Sequence, residues 1–393
     1  MRKTYEQLNK LKKKFGVDTL WSWSKYNSYK TDPYGWMLNY LQHVKGTRKS
    51  IYSVEGGVCH DIVERYYNKE ISYEDMINEY EDKLIELNMA GLKYNRSDEK
   101  ANESTAKKYE NNVRLFYKNH IPIEGKTITE QFVTIKVGDN YFQGYIDFIN
   151  KDKDGNYIIT DWKTSTLYVG KKILKERGQL VLYAESLIQK GIPLERIKIR
   201  WNFLKYCNIE YQLKGIDKET KTNKLKVTNE LRDRWVSKKS IQSNLAMWLK
   251  ESGYEELEIE DMIQTAISNN NLDNIPKDIQ SKYKLSDCYV YIPLDKEAID
   301  NLKEDIINTI DEINEKVNDY NIYMDQGEKE EAENLFWINI DDASSYYFAN
   351  LCEYSPNQHR PYKEYLESTN IWTKEDKSGT NKDDLDDDWL NNL

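Results

Sequence analysis

Residues 127–163, TITEQFVTIKVGDNYFQGYIDFINKDKDGNYIITDWK, decide the fold. Three runs within them, 127–137, 141–149 and 157–161, are rich in β-branched and aromatic residues and alternate apolar with polar. That is the period of a half-buried strand. Gly138-Asp139-Asn140 and Lys153-Asp154-Gly155-Asn156 supply the turns, so the spacing predicts an antiparallel three-stranded meander. Gly144-Tyr145-Ile146-Asp147 and Thr160-Asp161-Trp162-Lys163 then set two carboxylates on neighbouring strands. Asp161 and Lys163 share one face, while Trp162 points to the other and packs into the core.

Two carboxylates and a main-chain carbonyl make a hard-oxygen set suited to Mg²⁺ or Mn²⁺. A lysine beside them can orient a water or offset charge on a phosphorane-like transition state. A bound cation makes hydroxide available near neutral pH. Such a group attacks phosphodiesters. Taken alone, Asp-x-Lys also describes a solvated strand end carrying an ion pair, and the surrounding motifs decide between the two.

Upstream lies Gly56-Gly57-Val58-Cys59-His60-Asp61-Ile62-Val63-Glu64. His60 and Glu64 stand one helical turn apart on one face, and the glycine pair admits close approach of other backbone. Downstream, Gln179 and Tyr183 are again one turn apart, on the helix after the lysine strand. Glu130, on the strand before Asp147, is either a further ligand or an outward-facing charge.

The ordered set G-x-x-x-H-x-x-x-E, G-x-I-D, D-x-K, Q-x-x-x-Y resembles the PD-(D/E)XK nuclease superfamily in its RecB-like exonuclease branch, over roughly residues 20–210. The stretches Trp23-Ser24-Lys25-Tyr26-Asn27 and Asp32-Pro33-Tyr34 look like that branch's N-terminal signature. The resemblance implies that His60, Asp147, Asp161 and the Trp162 carbonyl bind metal and that Lys163 is catalytic. It implies that Gln179 and Tyr183 contact DNA or order the site, and that Glu64 supports the histidine helix. Many relatives carry a cysteine where Asp32 stands, and three more near the C-terminus, for an iron–sulfur cluster. Here Leu351-Cys352-Glu353-Tyr354-Ser355-Pro356 offers one cysteine, so four thiolates cannot be assembled and no cluster is expected. Packing by Trp337, Tyr346, Tyr347 and Phe348 is expected to join the ends of the fold instead.

The rest of the chain fits an α/β fold, a restriction-endonuclease-like core with a mixed central sheet of about five strands flanked by helices. Helical patterns cover 4–14, 55–69, 73–90, 98–119, 171–190 and 296–320, and strands are expected at 195–205, 208–213 and 288–294. The expected organisation is 1–213 for N-terminal helices and nuclease core, 214–286 for a helical insertion, and 287–369 for a C-terminal part packing back. Residues 370–393, ending in Asp383-Asp384-Leu385-Asp386-Asp387-Asp388-Trp389, read as an acidic disordered tail or a protein-docking segment.

A net charge of −10 disfavours an extended nucleic-acid-coating surface but leaves room for a local basic groove. Two candidates exist for phosphates: Lys171, Lys172, Lys175 and Arg177 before the Gln179 helix, and the alternating Arg196, Lys198 and Arg200. Their bland alternative is an ordinary solvated face. No apolar run approaches the ~20 residues of a membrane helix, and the N-terminus does not read as a signal peptide; a cytoplasmic protein is expected. The four scattered cysteines read as reduced thiols. Adjacent helix residues point roughly 100° apart, which disposes of a Cys59–His60 nucleophile–base pair.

The expected function is Mg²⁺- or Mn²⁺-dependent hydrolysis of DNA, more exonuclease than sequence-specific, in recombination, repair or replication. The alternative is a nuclease fold serving as a non-catalytic DNA-binding or assembly module.

Overall fold

The computed structural model describes residues 2–369; the acidic segment 370–393 lies outside the described residues. Helix α1 (Tyr5–Phe15) is closed by a Thr4–Gln7 capping box and ends at left-handed Gly16. Strand β1 (Leu20–Trp21), α2 (Trp23–Thr31) and α3 (Pro33–Tyr40) follow, and Asp32 caps α3 with Pro33 in its first turn. Helices α4 (Ile51–Tyr67), α5 (Tyr73–Met89) and α6 (Glu99–Asn119) then lead into β2 (Thr127–Val137), β3 (Asn140–Lys151) and β4 (Tyr157–Lys163). This meander matches the alternation read from the sequence.

Beyond it, the helical pattern at 171–190 is two helices, α7 (Lys171–Glu176) and α8 (Gly178–Ile188). The break falls at Gly178, which lies so close to the Trp23 ring that a Cβ there would clash with it. The two strands expected at 195–205 and 208–213 are one, β5 (Ile197–Ile216). It runs parallel to β4 from Ile197 to Phe203 and antiparallel to β6 (Asn223–Leu231) from Tyr206 onward, with a register shift on its other edge between Asn202 and Cys207. Strand β6 departs from the helical insertion expected over 214–286, because an exposed strand lacks the apolar weight that marks a buried one. Helices α9 (Lys239–Glu251), α10 (Glu256–Asn269) and α11 (Lys277–Gln280) do occur there, before β7 (Tyr283–Ile292). The chain continues through α12 (Lys296–Gln326), α13 (Lys329–Asn334), α14 (Asp342–Tyr346) and a π-helical turn, Tyr347–Leu351, into α15 (Arg360–Ser368).

The mixed sheet has seven strands rather than about five, in the order β1-β3-β4-β5-β6, with β2 on β3 and β7 on β5. One face carries a core shared with α2, α3, α8 and α12, containing Ile159, Trp201, Leu180, Val181 and Ile310. Phe148, Trp162 and Leu204 face the opposite core, with α4, α5 and α6. Helices α9 to α11 build a further core on the extension of β5, around Leu245, Leu249 and Ile279. No described helix is long and apolar enough to cross a membrane.

Candidate metal centre

Strand pairing builds the site. Strands β3 and β4 are hydrogen-bonded from Lys151↔Tyr157 to Phe148↔Thr160 and no further. The next facing positions are Asp147 and Asp161, so the sheet forks where two carboxylates would be forced together. On the other edge of β3, pairing with β2 skips Glu130 between Thr129↔Phe148 and Gln131↔Ile146. Glu130 has φ +43°, a left-handed backbone that a non-glycine residue adopts only when its surroundings insist. Here β3 also changes faces, because Ile146 packs in one core and Phe148 in the other. Glu130, Asp147 and Asp161 therefore lie in one row across three strands, at the point where the sheet's regularity breaks.

Helix α4 brings His60 to the mouth of the fork. Its Nδ1 lies 3.2 Å from Asp147 Oδ2 and its Nε2 2.6 Å from the Trp162 carbonyl. Lys163 Nζ lies 2.8 Å from Asp161 Oδ2. Donor atoms of His60, Asp147 and Asp161 all fall within 4.8 Å of one another. One imidazole, two carboxylates and an adjacent main-chain oxygen suit a divalent cation of the Mg²⁺/Mn²⁺ kind, so the residues present fit the group expected from the sequence.

The electrostatics follow from this crowding. Burial works to lower the His60 pKa, but Asp147 and Asp161 outweigh it and push it up to about 9. With both ring nitrogens against acceptors, the metal-free imidazole is a cation. Burial lifts Asp161 to about 6, with repulsion from Asp147 adding to the effect and Lys163 opposing it. Asp147 moves the other way: burial would raise its carboxyl, but His60 holds it below the usual carboxylate range. Burial disfavours the Lys163 ammonium, yet Asp161 reverses that and raises its pKa. Lys163 is therefore a fixed positive charge at neutral pH.

The supporting residues are placed as follows. Glu64 stands one turn beyond His60, its carboxyl pushed up by burial and then by the charge of Glu130. Gln179 Nε2 donates to Tyr183 Oη at 3.3 Å, and Tyr183 reaches the fork beside Gly144, where a Cβ would lie 3.0 Å from its ring. Lys171, Lys172 and Lys175 lie on α7, just after the lysine strand, with the Lys172 ammonium over the Tyr168 ring; Arg177, which ends that helix, donates to the Pro293 carbonyl.

The second basic set is engaged by neighbouring groups. Arg200 is 6% exposed, donates to Thr160 Oγ1 and Tyr291 Oη, and stacks 3.7 Å over the Tyr289 ring. Lys198 pairs with Asp152 and Arg196 donates to the Asp154 carbonyl, both in the β3–β4 turn at the far end of β4. Charge alternation along β5 was visible in the sequence; which neighbours consume that charge was not.

Two participants were missed. Tyr168 packs edge-on to Trp201 and Phe203 in the segment that follows Lys163. Arg2 reaches Glu130 at 3.5 Å from the N-terminal arm. No local pattern marks either one. The four cysteines are separate, buried, free thiols.

The profile of the PD-(D/E)XK nuclease superfamily matches residues 20–319. The chain belongs to that superfamily. The match reaches well past residue 210, where the sequence resemblance stopped, and takes in β6, α9 to α11, β7 and most of α12. No curated protein matches the chain. Membership in the PD-(D/E)XK superfamily agrees with a mixed sheet flanked by helices and with an acid–acid–lysine fork on its central strands.

Proposed function

We propose that this protein hydrolyses DNA phosphodiester bonds, with Mg²⁺ or Mn²⁺ held by His60, Asp147, Asp161 and the Trp162 carbonyl. The observation that carries this reading is the meeting of His60 with two facing carboxylates inside a nuclease-superfamily fold. When bound, the cation supplies Lewis acidity at the scissile phosphate and a more acidic water. The chain's own residues do the rest. Asp147 and Asp161 would supply the carboxylate donors, and His60 would join them as a neutral ligand once its extra proton has passed to solvent. Lys163 stays an ammonium ion, so its role is to orient the attacking water and offset charge on the pentavalent phosphorus, not to act as a base. Gln179 and Tyr183 order the substrate side of the fork, while Glu64 and Glu130 shape its acidic rim. Lys171, Lys172, Lys175 and Arg177 bind phosphates along the strand being cut.

The order of the motifs supports placement in the RecB-like exonuclease branch, and with it action on DNA ends in recombination, repair or replication. The retained Lys163–Asp161 pair favours catalysis over a purely DNA-binding module. The test is digestion of end-labelled linear and covalently closed circular DNA with Mn²⁺, with and without EDTA. Cleavage of the linear substrate alone, abolished by EDTA, is expected. Absence of metal-dependent cleavage on either substrate would overturn the reading.

A further inference from the structure

The loop 44–49 that delivers the His60 helix is held almost entirely by residues 348–358, some three hundred positions later in the chain. Tyr354 Oη donates to the Val44 carbonyl, and Gln358 joins Lys45 and Thr47. The Arg48 amide donates to the Glu353 carbonyl at 2.9 Å, and its guanidinium donates to the carbonyls of Phe348 and Tyr354. Arg96 adds bonds to the carbonyls of Ala349 and Cys352 on one side and Lys49 on the other. Gly46 permits this approach, because a Cβ there would lie 2.7 Å from Glu353.

Beneath this web lies one buried contact. His359 Nε2 meets Asp32 Oδ1 at 3.0 Å and Oδ2 at 3.1 Å, with the imidazole 0% exposed. His359 Nδ1 accepts the Tyr362 amide at 3.2 Å, so the proton is on Nε2 and His359 donates to Asp32. Asp32 Oδ1 also accepts the Gly35 amide. Each residue thus caps its own helix, α3 or α15, and each cap is bonded to the other. Aromatic packing joins the ends of the fold as expected, with Trp337 edge-on to the Tyr34 ring and Tyr34 beside His359, and directional hydrogen bonds set the register.

We infer that residues 348–359 form a clasp, locked by Asp32–His359, that fixes the first turns of α4 and so positions His60 at the fork. His60 is ten residues from Ser50 along a continuous helix, about 15 Å at 1.5 Å per residue. Such a helix turns as a rigid rod, so freedom at its start becomes displacement of the imidazole. Asp32 and His359 are positioning residues in this scheme and touch no reacting atom. The consequence for metal rests on the function proposed above; the anchoring of α4 does not.

Two substitutions separate the bridge from the cap. His359→Asn keeps an acceptor for the Tyr362 amide but falls short of Asp32, whereas the His359→Gln amide nitrogen reaches as far as the imidazole Nε2. Hydrogen exchange of the full chain is measured for both, and for Gln358→Ala in case His359→Asn does not fold. Faster exchange over residues 51–60 in His359→Asn, restored in His359→Gln, is expected, and a smaller local rise is expected in Gln358→Ala. Unchanged exchange there in both His359→Asn and Gln358→Ala would overturn the clasp. Mn²⁺ titration supplies the second readout, with about tenfold weaker binding expected in His359→Asn. Wild-type affinity in that variant would refute the positioning of His60. A wild type that fails to bind Mn²⁺ would instead refute the metal centre, leaving exchange to judge the clasp.

Discussion

Asp147 and Asp161 occupy facing positions on β3 and β4, one step past the last hydrogen-bonded pair, Phe148 with Thr160. Two like charges at such a step repel each other in a metal-free protein and attract a cation together. Mn²⁺ at about a hundredfold excess over its dissociation constant should therefore stabilise the fold by about 2.7 kcal/mol, visible as a shift of several degrees in melting temperature. Asp147→Ala and Asp161→Ala should each lose that shift while the EDTA-treated proteins still melt cooperatively. Equal Mn²⁺ shifts in wild type and both variants would refute the assignment of the ligands.

Lys163→Ala should reduce cleavage about a hundred- to a thousandfold, the scale on which preorganised charge acts in such sites. Mn²⁺ affinity should change little, because no lysine nitrogen coordinates the ion. Single-turnover cleavage and Mn²⁺ titration of the same preparation read the two effects. A variant that cuts normally would remove Lys163 from the mechanism.

Gly144→Ala tests the approach of Tyr183 to the fork. The added methyl would lie 3.0 Å from the Tyr183 ring and 3.1 Å from its hydroxyl, so the ring must move. A cost of about 1–3 kcal/mol is expected from overpacking, with a loss of activity larger than the loss of folded protein. Tyr183→Ala opens the space at its own cost in buried surface, and in that background Gly144→Ala should cost little further stability.

Glu55 gives the molecule a pH dependence unrelated to catalysis. It is 0% exposed, accepts hydrogen bonds from Tyr80 and Tyr94, and is pushed by burial up to about 7. An acid whose folded pKa is raised holds its proton more tightly in the folded state. Its ionisation therefore costs nothing well below the unfolded value of about 4.3 and costs progressively more as pH rises to about 7. Between pH 4.5 and 8.5 the stability gap between wild type and Glu55→Gln should shift in favour of the variant by about 2–3 kcal/mol. Urea melts across that range measure it; a constant gap would show that Glu55 titrates normally.

The two basic sets should part under salt. Removing Lys172 or Lys175 should weaken DNA binding at every sequence and flatten the salt dependence by about one unit of slope per residue. Arg200→Ala should leave that slope unchanged and lower the melting temperature, since the guanidinium is used between Thr160 and Tyr289. Binding isotherms from low to moderate salt distinguish the two.

What was legible in the sequence follows the range of the interactions involved. The meander and the Asp161–Lys163 face depend on period-2 alternation and turn residues, which are local, and both are found where expected. Helix α4 was legible for the same reason. Strand β6 was not, because Leu225 and Val227 alternate with lysines yet remain 58% and 54% exposed, so its pattern lacks the apolar weight of a buried strand. Nor does local sequence foretell that β5 passes from one neighbour to another, or that Glu130 turns left-handed opposite Asp147. The Asp32–His359 bridge joins positions 327 residues apart and leaves no periodic trace.

The oxygen that meets His60 Nε2 belongs to the peptide group of Trp162, while the indole lies on the far side of the strand beside Phe148 and Tyr67. No codon change can delete a peptide oxygen. Inheritance at position 162 is thus screened for bulk and shape alone, and a lineage can lose this oxygen only by rerouting its backbone.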